Sequence, residues 1–220
     1  MDDSVRLNPG GKLWLAACVW LALGALAGWF VPSALWDWQP TLAAHEPWRW
    51  WTAAFVHWSP LHLLVNLATL LVVAALGRVA AVPAVVTLAW LASWPLTHLA
   101  LLLRPELAHY GGLSGVLHGG VAAAALYVAR IEVGRRRTLA IAILAGLLTK
   151  LLLEAPWGPA LQLRDPWDIA VAPLAHVSGA LMAAICTVLA LARGPSPHAA
   201  AAPPPEHEPE RSPIAHPETP

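Results

Sequence analysis

A single serine lies among glycines in an otherwise apolar stretch near the middle of the chain. Residues 111–120 read Gly-Gly-Leu-Ser-Gly-Val-Leu-His-Gly-Gly, which places His118 one helical turn after Ser114. A serine hydroxyl becomes a nucleophile when an adjacent imidazole accepts its proton. Polar side chains inside apolar sequence are costly without a partner or a function. We therefore predict that Ser114 is a nucleophile and that His176, from another apolar segment, is its general base.

Two further polar residues could stabilise the charge that develops in such a reaction. His62 and Asn66 are four residues apart, so they share one face of a helix. Both can donate hydrogen bonds to a carbonyl oxygen under attack. The backbone N–H of Ser114, at a helix start, can add a third donor. We expect His57 to lie in a loop, where it holds the loop in place rather than reacts.

Each candidate also has a purely structural interpretation. Ser114 could belong to a seam of small residues between helices, because Gly115 and Gly119 are four residues apart. His176 could be a hydrogen-bonded packing residue, and the two polar residues of the second helix could form a clasp between helices. A metal site made of histidines is disfavoured, since they lack acidic or thiol co-ligands and no HExxH motif is present. We predict no metal and no cofactor.

The composition is typical of a membrane protein. The chain has 220 residues, of which 58% are hydrophobic and 12% charged, about half the charge expected of a soluble domain. One helical crossing of the bilayer needs about 20 apolar residues, and several segments reach that length. The formal net charge is zero, so nothing indicates nucleic acid as a partner. Cys18 and Cys186 lie in apolar segments and form no disulfide framework or metal-binding spacing.

These segments must position the polar residues, and we predict an all-α membrane protein with six transmembrane helices. The predicted spans are 13–31, 61–76, 83–103, 113–130, 138–153 and 171–192. The first span could be a signal peptide, but its length and the spans that follow favour a retained helix. The predicted domains are a cytoplasmic N-terminus (1–12), a membrane domain (13–193) and a disordered, proline-rich cytoplasmic tail (194–220).

The distribution of basic residues predicts the orientation. Six crossings put both termini on one side of the membrane, and that side carries eight basic residues: Arg6, Lys12, Arg78, Arg130, Arg135, Arg136, Arg137 and Arg193. The other side carries three, Arg49, Arg104 and Arg164. By the positive-inside rule the termini are cytoplasmic. The Trp-rich loop between the first two helices then faces outward and is expected at the membrane interface.

This orientation brings the candidate residues to one depth. Helices two, four and six all start at the outer face, and their first turns carry His62, Ser114 and His176. At about 1.5 Å per residue these side chains lie at comparable depth. No Asp or Glu lies inside these three helices. If the chemistry is that of a serine nucleophile, the sequence predicts a Ser–His dyad without the usual carboxylate.

Four motifs, in this order, resemble those of the rhomboid family of intramembrane serine proteases. They are Trp48-Arg49, the HxxxxHxxxN of residues 57–66, the GxSG of residues 112–115 and the AHxxG of residues 175–179. The resemblance extends over residues 10–193 and implies a six-helix rhomboid-like bundle. It implies that Ser114 is the nucleophile and His176 the general base, with His62, Asn66 and the Ser114 amide as oxyanion-hole donors. The implied reaction is peptide-bond hydrolysis near the outer end of a substrate's transmembrane helix, without a cofactor.

The compact chain, its GLSGVLHG string and a Lys150–Glu154 pair resemble the rhombosortase branch more closely. That resemblance implies substrates with a C-terminal sorting tag: a Gly-Gly motif, one membrane helix and a basic end. Lys150 and Glu154 are either a snorkelling lysine with its ion partner or a receptor for a polar substrate terminus. Two positions depart from the family pattern. His118 replaces an aromatic residue and could either stack on the base or titrate, and Ala183 replaces a glycine, which predicts looser packing of helices four and six.

The sequence therefore predicts a rhomboid-type serine endopeptidase in a bacterial-type inner membrane, with an active site that opens to the outer face. Its expected partners are the lipid bilayer and transmembrane protein substrates with a C-terminal anchor. The alternative is a catalytically silent rhomboid-like protein that binds transmembrane clients, although such relatives usually lack the serine or the base. A transporter would be expected to show an internal repeat or broken helices in matching halves, and the sequence shows neither.

Overall fold

The computed structural model describes residues 9–193, which form a bundle of helices. In chain order the helices are α1 (Pro9–Gly28), α2 (Ser33–Trp36), α3 (Arg49–Thr52), α4 (Pro60–Val79), α5 (Ala84–Leu99), α6 (Ser114–Ile131), α7 (Gly134–Leu153) and α8 (Pro173–Arg193). A 3₁₀ turn follows α3 (Ala53–Phe55) and another extends α5 (Ala100–Leu103). Within residues 9–193 there is no β-strand. The predicted tail, 194–220, and the first eight residues lie outside the described part of the chain.

Five helices are long and apolar enough to cross a membrane: α1, α4, α5 with its 3₁₀ extension, α6 and α8. The chain is therefore a multi-pass, all-helical membrane protein. Helix α7 is also 20 residues long but has basic residues near both ends, and its crossing stays a prediction. Arg135, Arg136 and Arg137 were expected in a loop. That expectation is wrong, because α7 begins at Gly134 and the three arginines lie in its first turn.

The start of α4 shows how the sequence sets a helix boundary near the candidate residues. Ser59 is the N-cap, and its hydroxyl oxygen accepts a hydrogen bond from the His62 backbone N–H at 3.0 Å. Pro60 follows at the first helical position, where its missing N–H is not needed. A second bond runs from the Ser59 hydroxyl to Asp168 Oδ1 at 2.8 Å. The cap therefore fixes the rotation of α4 and ties it to the loop that precedes α8.

Two tryptophans join four helices in the core. The rings of Trp14 on α1 and Trp90 on α5 have centroids 4.4 Å apart, and neither side chain is exposed. The indole N–H of Trp14 donates to the Val73 carbonyl on α4 at 3.1 Å. The indole N–H of Trp90 donates to the Val116 carbonyl on α6 at 2.8 Å. Because buried indoles satisfy their N–H only at defined positions, these bonds fix α4 and α6 relative to the core.

Glycines allow α6 and α8 to pack with their backbones in contact. A Cβ at Gly179 would overlap the Gly115 carbonyl oxygen, and one at Gly119 would lie 3.0 Å from the Gly179 oxygen and 3.1 Å from Cβ of Ala183. The Ala183 methyl group lies against Gly119 in this interface, and the expectation that Ala183 makes the packing looser than in the family stays a prediction. The two helices that carry Ser114 and His176 are in close backbone contact.

An ion network orders the Trp-rich loop between α1 and α4. The guanidinium of Arg49 on α3 is buried and lies 3.0 Å from Asp37 Oδ1 and 2.6 Å from Glu46 Oε2. It also donates to the carbonyls of Ala34 and Asp37. The other oxygen of the Asp37 carboxylate, Oδ2, lies 2.6 Å from Nδ1 of His109. Trp38, next in the chain, pairs with Tyr110 through two backbone bonds, so this loop holds the segment that leads into α6.

Candidate active site

Ser114 is the first residue of α6, and a turn that only glycine can form precedes it. Gly112 has φ +128°, a conformation that side chains rarely adopt. A Cβ at Gly112 would also lie 2.7 Å from Nε2 of His62. The glycine thus lets the chain turn into α6 and lets the His62 ring approach the backbone just before the serine. The Ser114 backbone N–H lies in the first turn, where helices leave donors without an intrahelical acceptor.

His176 and Ser114 are in direct contact. Nε2 of His176 lies 2.9 Å from the Ser114 hydroxyl, and the imidazole is 6% exposed. The contact joins the first turns of α6 and α8, which the glycine interface brings together. With its proton on Nδ1, the ring presents an unprotonated Nε2 that can accept the serine proton.

A carboxylate lies on the other nitrogen of this imidazole. Oε2 of Glu154 is 2.7 Å from Nδ1 of His176, and Oε1 of the same group is 2.6 Å from Nζ of Lys150. The predicted Ser–His dyad stays a prediction, but a carboxylate does lie beside its imidazole. No Asp or Glu was found inside the predicted second, fourth and sixth helices, which are α4, α6 and α8, whereas Glu154 is the C-cap of α7.

Glu154 is held as a carboxylate. Burial raises its pKa, but the hydrogen bond and charge of His176 and of Lys150 outweigh burial and lower the pKa to about 2. Its side chain is 15% exposed. The available sequence signal was weak: the Lys150–Glu154 spacing indicated an ion pair on one helix and did not indicate where the second carboxylate oxygen points.

His118 stacks on His176. The rings of His118 and His176 have centroids 4.2 Å apart and planes 15° from parallel. Nδ1 of His118 lies 2.6 Å from the Ser114 carbonyl, to which it donates when protonated. Of the two roles left open by the sequence, this geometry corresponds to stacking, with one face of the His176 ring covered by His118.

His62 and Asn66 are buried beside the serine. They are 7% and 5% exposed, and both line the cavity that Ser114 and His176 line. The Asn66 amide donates one hydrogen bond to the His62 carbonyl at 3.0 Å, which leaves its second N–H available. Nδ1 of His62 has no hydrogen-bond partner among the described residues.

His57 lies behind His62, in the loop before α4. Its Nδ1 is 3.2 Å from the Phe55 carbonyl, and its ring centroid is 4.7 Å from that of His62. Burial lowers the pKa of His57 to about 4, against the opposing effect of the Phe55 carbonyl. His57 therefore packs against His62 from the loop, and its role in holding that loop in place stays a prediction.

Apart from His57, the candidate residues line one cavity of about 500 Å³. Its walls come from α4, α6, α7, α8 and the loops before α4, α6 and α8, and they include Trp58, Val65, Thr69, Ile143, Leu147, Leu161, Trp167 and Ile169. Only Ala140 and Leu151 of α7 are buried, so this helix lies at the edge of the bundle. The cavity is therefore a mostly apolar space, with its polar groups concentrated around Ser114.

Tyr110 is a residue near the site that the sequence reasoning missed. It is 4% exposed, lines the same cavity, and its hydroxyl donates to the Gly112 carbonyl at 3.3 Å. Burial raises its pKa to about 12, with the Ser114 side chain close enough to act in the opposite direction. No motif marks this tyrosine, and its position follows only from the pairing of residues 38 and 110.

A metal centre is not indicated within the described residues. In residues 9–193 no three His, Cys, Asp or Glu side chains are grouped so that they could hold a metal ion. The four histidines at positions 57, 62, 118 and 176 instead contact one another in two ring pairs.

Comparison with known proteins gives one match. The sequence model described as Rhomboid domain matches residues 44–193, more than half of the chain. No curated protein matches the chain. The matched range begins in the Trp-rich loop and ends with α8, so it contains every residue of the candidate site.

Proposed function

Since the chain belongs to the rhomboid family, a family of intramembrane proteases, we propose that it is a serine endopeptidase with Ser114 as nucleophile and His176 as general base. The single observation that carries this proposal is the 2.9 Å contact between the His176 Nε2 and the Ser114 hydroxyl. The contact lies in the wall of the cavity of about 500 Å³.

The proposed chemistry proceeds in two steps. The Ser114 oxygen attacks the scissile carbonyl carbon while His176 Nε2 takes the hydroxyl proton, and the carbonyl oxygen becomes an oxyanion. His62, the free N–H of Asn66 and the Ser114 amide donate hydrogen bonds to that oxyanion. When the C–N bond breaks, His176 returns the proton to the leaving amine. Water then attacks the acyl-enzyme with His176 again as base, which releases the carboxylate product and regenerates the serine.

We propose that the substrate is a membrane-anchored protein that reaches the cavity between α4 and α7. Both helices line the cavity, and most side chains of α7 lie outside the protein core, so α7 forms an outer wall of the cavity. The Trp58 and Trp167 side chains at the cavity wall are 43% and 36% exposed, which suits a position at the headgroup level. The cleaved bond would lie near the outer end of the substrate's transmembrane helix.

The rhombosortase assignment remains a proposal about the substrate. It rests on the GLSGVLHG string and the Lys150–Glu154 pair, and it predicts a C-terminal anchor with a Gly-Gly motif, one membrane helix and a basic end. The proposed location is a bacterial-type inner membrane with cytoplasmic termini. Its support is the excess of basic residues predicted on one side of the membrane.

The alternative, a silent protein that captures transmembrane clients, is not favoured. Such a protein has no need of a serine and an imidazole in hydrogen-bond contact, and this chain keeps both. No observation favours a transporter.

Co-expression with a tagged reporter tests the proposal. The reporter ends in a Gly-Gly motif, an apolar helix and a basic tail, and cleavage is followed for the wild type, Ser114→Ala and His176→Ala. We expect both variants to abolish cleavage while the protein accumulates at wild-type level. Cleavage that survives Ser114→Ala would refute the nucleophile. A wild type that spares the Gly-Gly reporter but cuts a reporter without the motif would refute the sorting-tag substrate and leave the protease.

A further inference from the structure

We infer that Glu154 is a positioning residue that orients the imidazole of His176 toward Ser114. The inference rests on the proposed function, because a positioning role has meaning only if His176 is the base. It gives Glu154 a role toward His176, beyond the two roles that the sequence left open for the Lys150–Glu154 pair.

The carboxylate is bound at both of its oxygens. Oε2 lies 2.7 Å from Nδ1 of His176 on α8, and Oε1 lies 2.6 Å from Nζ of Lys150 on α7. A carboxylate that accepts from two donors on different helices has one preferred orientation. Lys150 also favours the ionised form, and an ionised group can only accept, so Nδ1 must carry the proton.

The loop between α7 and α8 holds Glu154 in register with His176. Arg164 donates to the carbonyl of Glu154 at 2.9 Å and to that of Leu153 at 3.2 Å. The same guanidinium binds the Gln162 side chain at 3.0 Å through Nε. Gln162 pairs with Val171 through two backbone bonds of 2.8 and 2.9 Å, and α8 begins two residues later. The end of α7 and the start of α8 are therefore tied together at the two residues that must meet.

This arrangement does two things for the base. It fixes the tautomer, because a proton held on Nδ1 leaves Nε2 as the acceptor toward Ser114. It also supplies a negative charge next to the imidazole at the moment when it takes the serine proton, in surroundings where His176 is 6% exposed and charges interact strongly. The proton stays on Nδ1, and Glu154 remains ionised throughout.

The neighbouring groups leave this role to Glu154. His118 covers one face of the His176 ring and bonds to the Ser114 carbonyl. Lys150 is a cation and opposes charge on the imidazole. Within residues 9–193, no other acidic side chain has a hydrogen bond or ion pair to His176. Without Glu154, Nδ1 would have no acceptor to orient the ring.

The test measures the reactivity of Ser114 with a fluorophosphonate probe on the purified full-length protein. Rates at several probe concentrations separate the inactivation rate constant from the affinity for the probe, and the final labelled fraction reports how much protein is folded. For Glu154→Gln we expect the rate constant to fall about 10²-fold or more, with affinity and labelled fraction unchanged. A merely structural role would lower the labelled fraction and leave the rate of the remaining protein at the wild-type value.

A matched control and a second variant complete the test. Glu132 also pairs with a cation four residues away, Arg136 at 2.8 Å, but lies at the other end of α6, so Glu132→Gln should label at the wild-type rate. Glu154→Asp keeps the charge but draws it back by one methylene, and we expect an intermediate rate. If Glu154→Gln fails to fold, Glu154→Asp decides, and wild-type reactivity in either variant overturns the inference.

The same experiment separates the two proposals. If the Ser114→Ala variant is still labelled at the wild-type rate, the proposed nucleophile is refuted. A wild type labelled at Ser114, together with an unaffected Glu154→Gln, refutes only the role of Glu154.

Discussion

Replacing Gly112 by alanine tests whether the turn before α6 and the oxyanion donor depend on each other. The φ of +128° lies in a region that non-glycine residues occupy at a cost of about 1–3 kcal/mol. The added Cβ would also lie 2.7 Å from Nε2 of His62, and ordinary contact begins at 3.4 Å. The His62 ring must therefore withdraw by about 0.7 Å, which is enough to misplace a hydrogen-bond donor that acts at about 2.7–3.1 Å.

Two quantities should change together in this variant. Thermal unfolding in detergent should show a destabilisation of about 1–3 kcal/mol. The rate of Ser114 labelling, or of reporter cleavage, should fall by about 10²- to 10³-fold, the usual cost of one oxyanion-hole donor. Gly146→Ala is the matched control for stability, because a Cβ there meets no atom within 4 Å and alanine favours the helix.

The possible outcomes test the backbone strain at Gly112 and the position of His62 separately. A Gly112→Ala protein that unfolds like the wild type would refute the strain at this turn. A destabilised variant that still reacts at the wild-type rate would refute the placement of His62 as a donor. His62→Ala then serves as the reference, since the two substitutions should lower the rate by similar factors and should not add when combined.

Three further predictions concern the scaffold. Arg49→Leu leaves the buried Asp37 carboxylate without its main cation, so thermal unfolding should show a loss of about 3–5 kcal/mol; an unchanged unfolding temperature would contradict this. Gly179→Leu must separate α6 from α8, because the backbone of Gly115 occupies the space of the new side chain. Both the stability of the protein and the labelling of Ser114 should be lost. Labelling at the wild-type rate would show that the close packing of α6 and α8 is not needed. The pKa of Glu154 is lowered from 4.5 to about 2, so its ion pairs stabilise the fold fully above pH 4.5 and this stabilisation is lost as the pH falls toward 2. Over that range the unfolding temperature should drop more steeply for the wild type than for Glu154→Gln. Parallel curves for the two proteins would contradict the lowered pKa.

Much of the helical architecture could be predicted from residue order. The apolar runs and their boundaries identified the long helices to within about four residues, because the energy of burying apolar side chains in lipid depends on composition and length. The Ser59 N-cap and Pro60, which the structure shows at the start of α4, are a local signal that the predicted span 61–76 did not use. The start of α7 was misjudged because arginines were assigned to a loop, although a helix end at the interface accommodates them by extending their side chains toward water.

Most of the candidate residues could be predicted from the sequence, but one residue of the site could not. Ser114, His176, His62 and Asn66 could be selected from the sequence, since polar groups in apolar helices at a common depth are few and their spacing is set by the helix. The hydrogen-bond partner of His176 Nδ1 could not be selected in this way. Glu154 reaches His176 only through the path of the loop from residue 154 to residue 172, whose course depends on Arg164 and Gln162 contacts rather than on any periodic pattern.

Sequence alone determined the class of protein, the approximate helices and the candidate residues for serine chemistry, because these depend on composition and on spacing along a helix. Only the tertiary structure decided that His118 stacks on His176, that Ala183 lies in a close interface, and that a carboxylate extends the row Ser114–His176–Glu154. Such facts depend on the distance between residues far apart in the chain. A difference of 1 Å there decides whether a hydrogen bond exists.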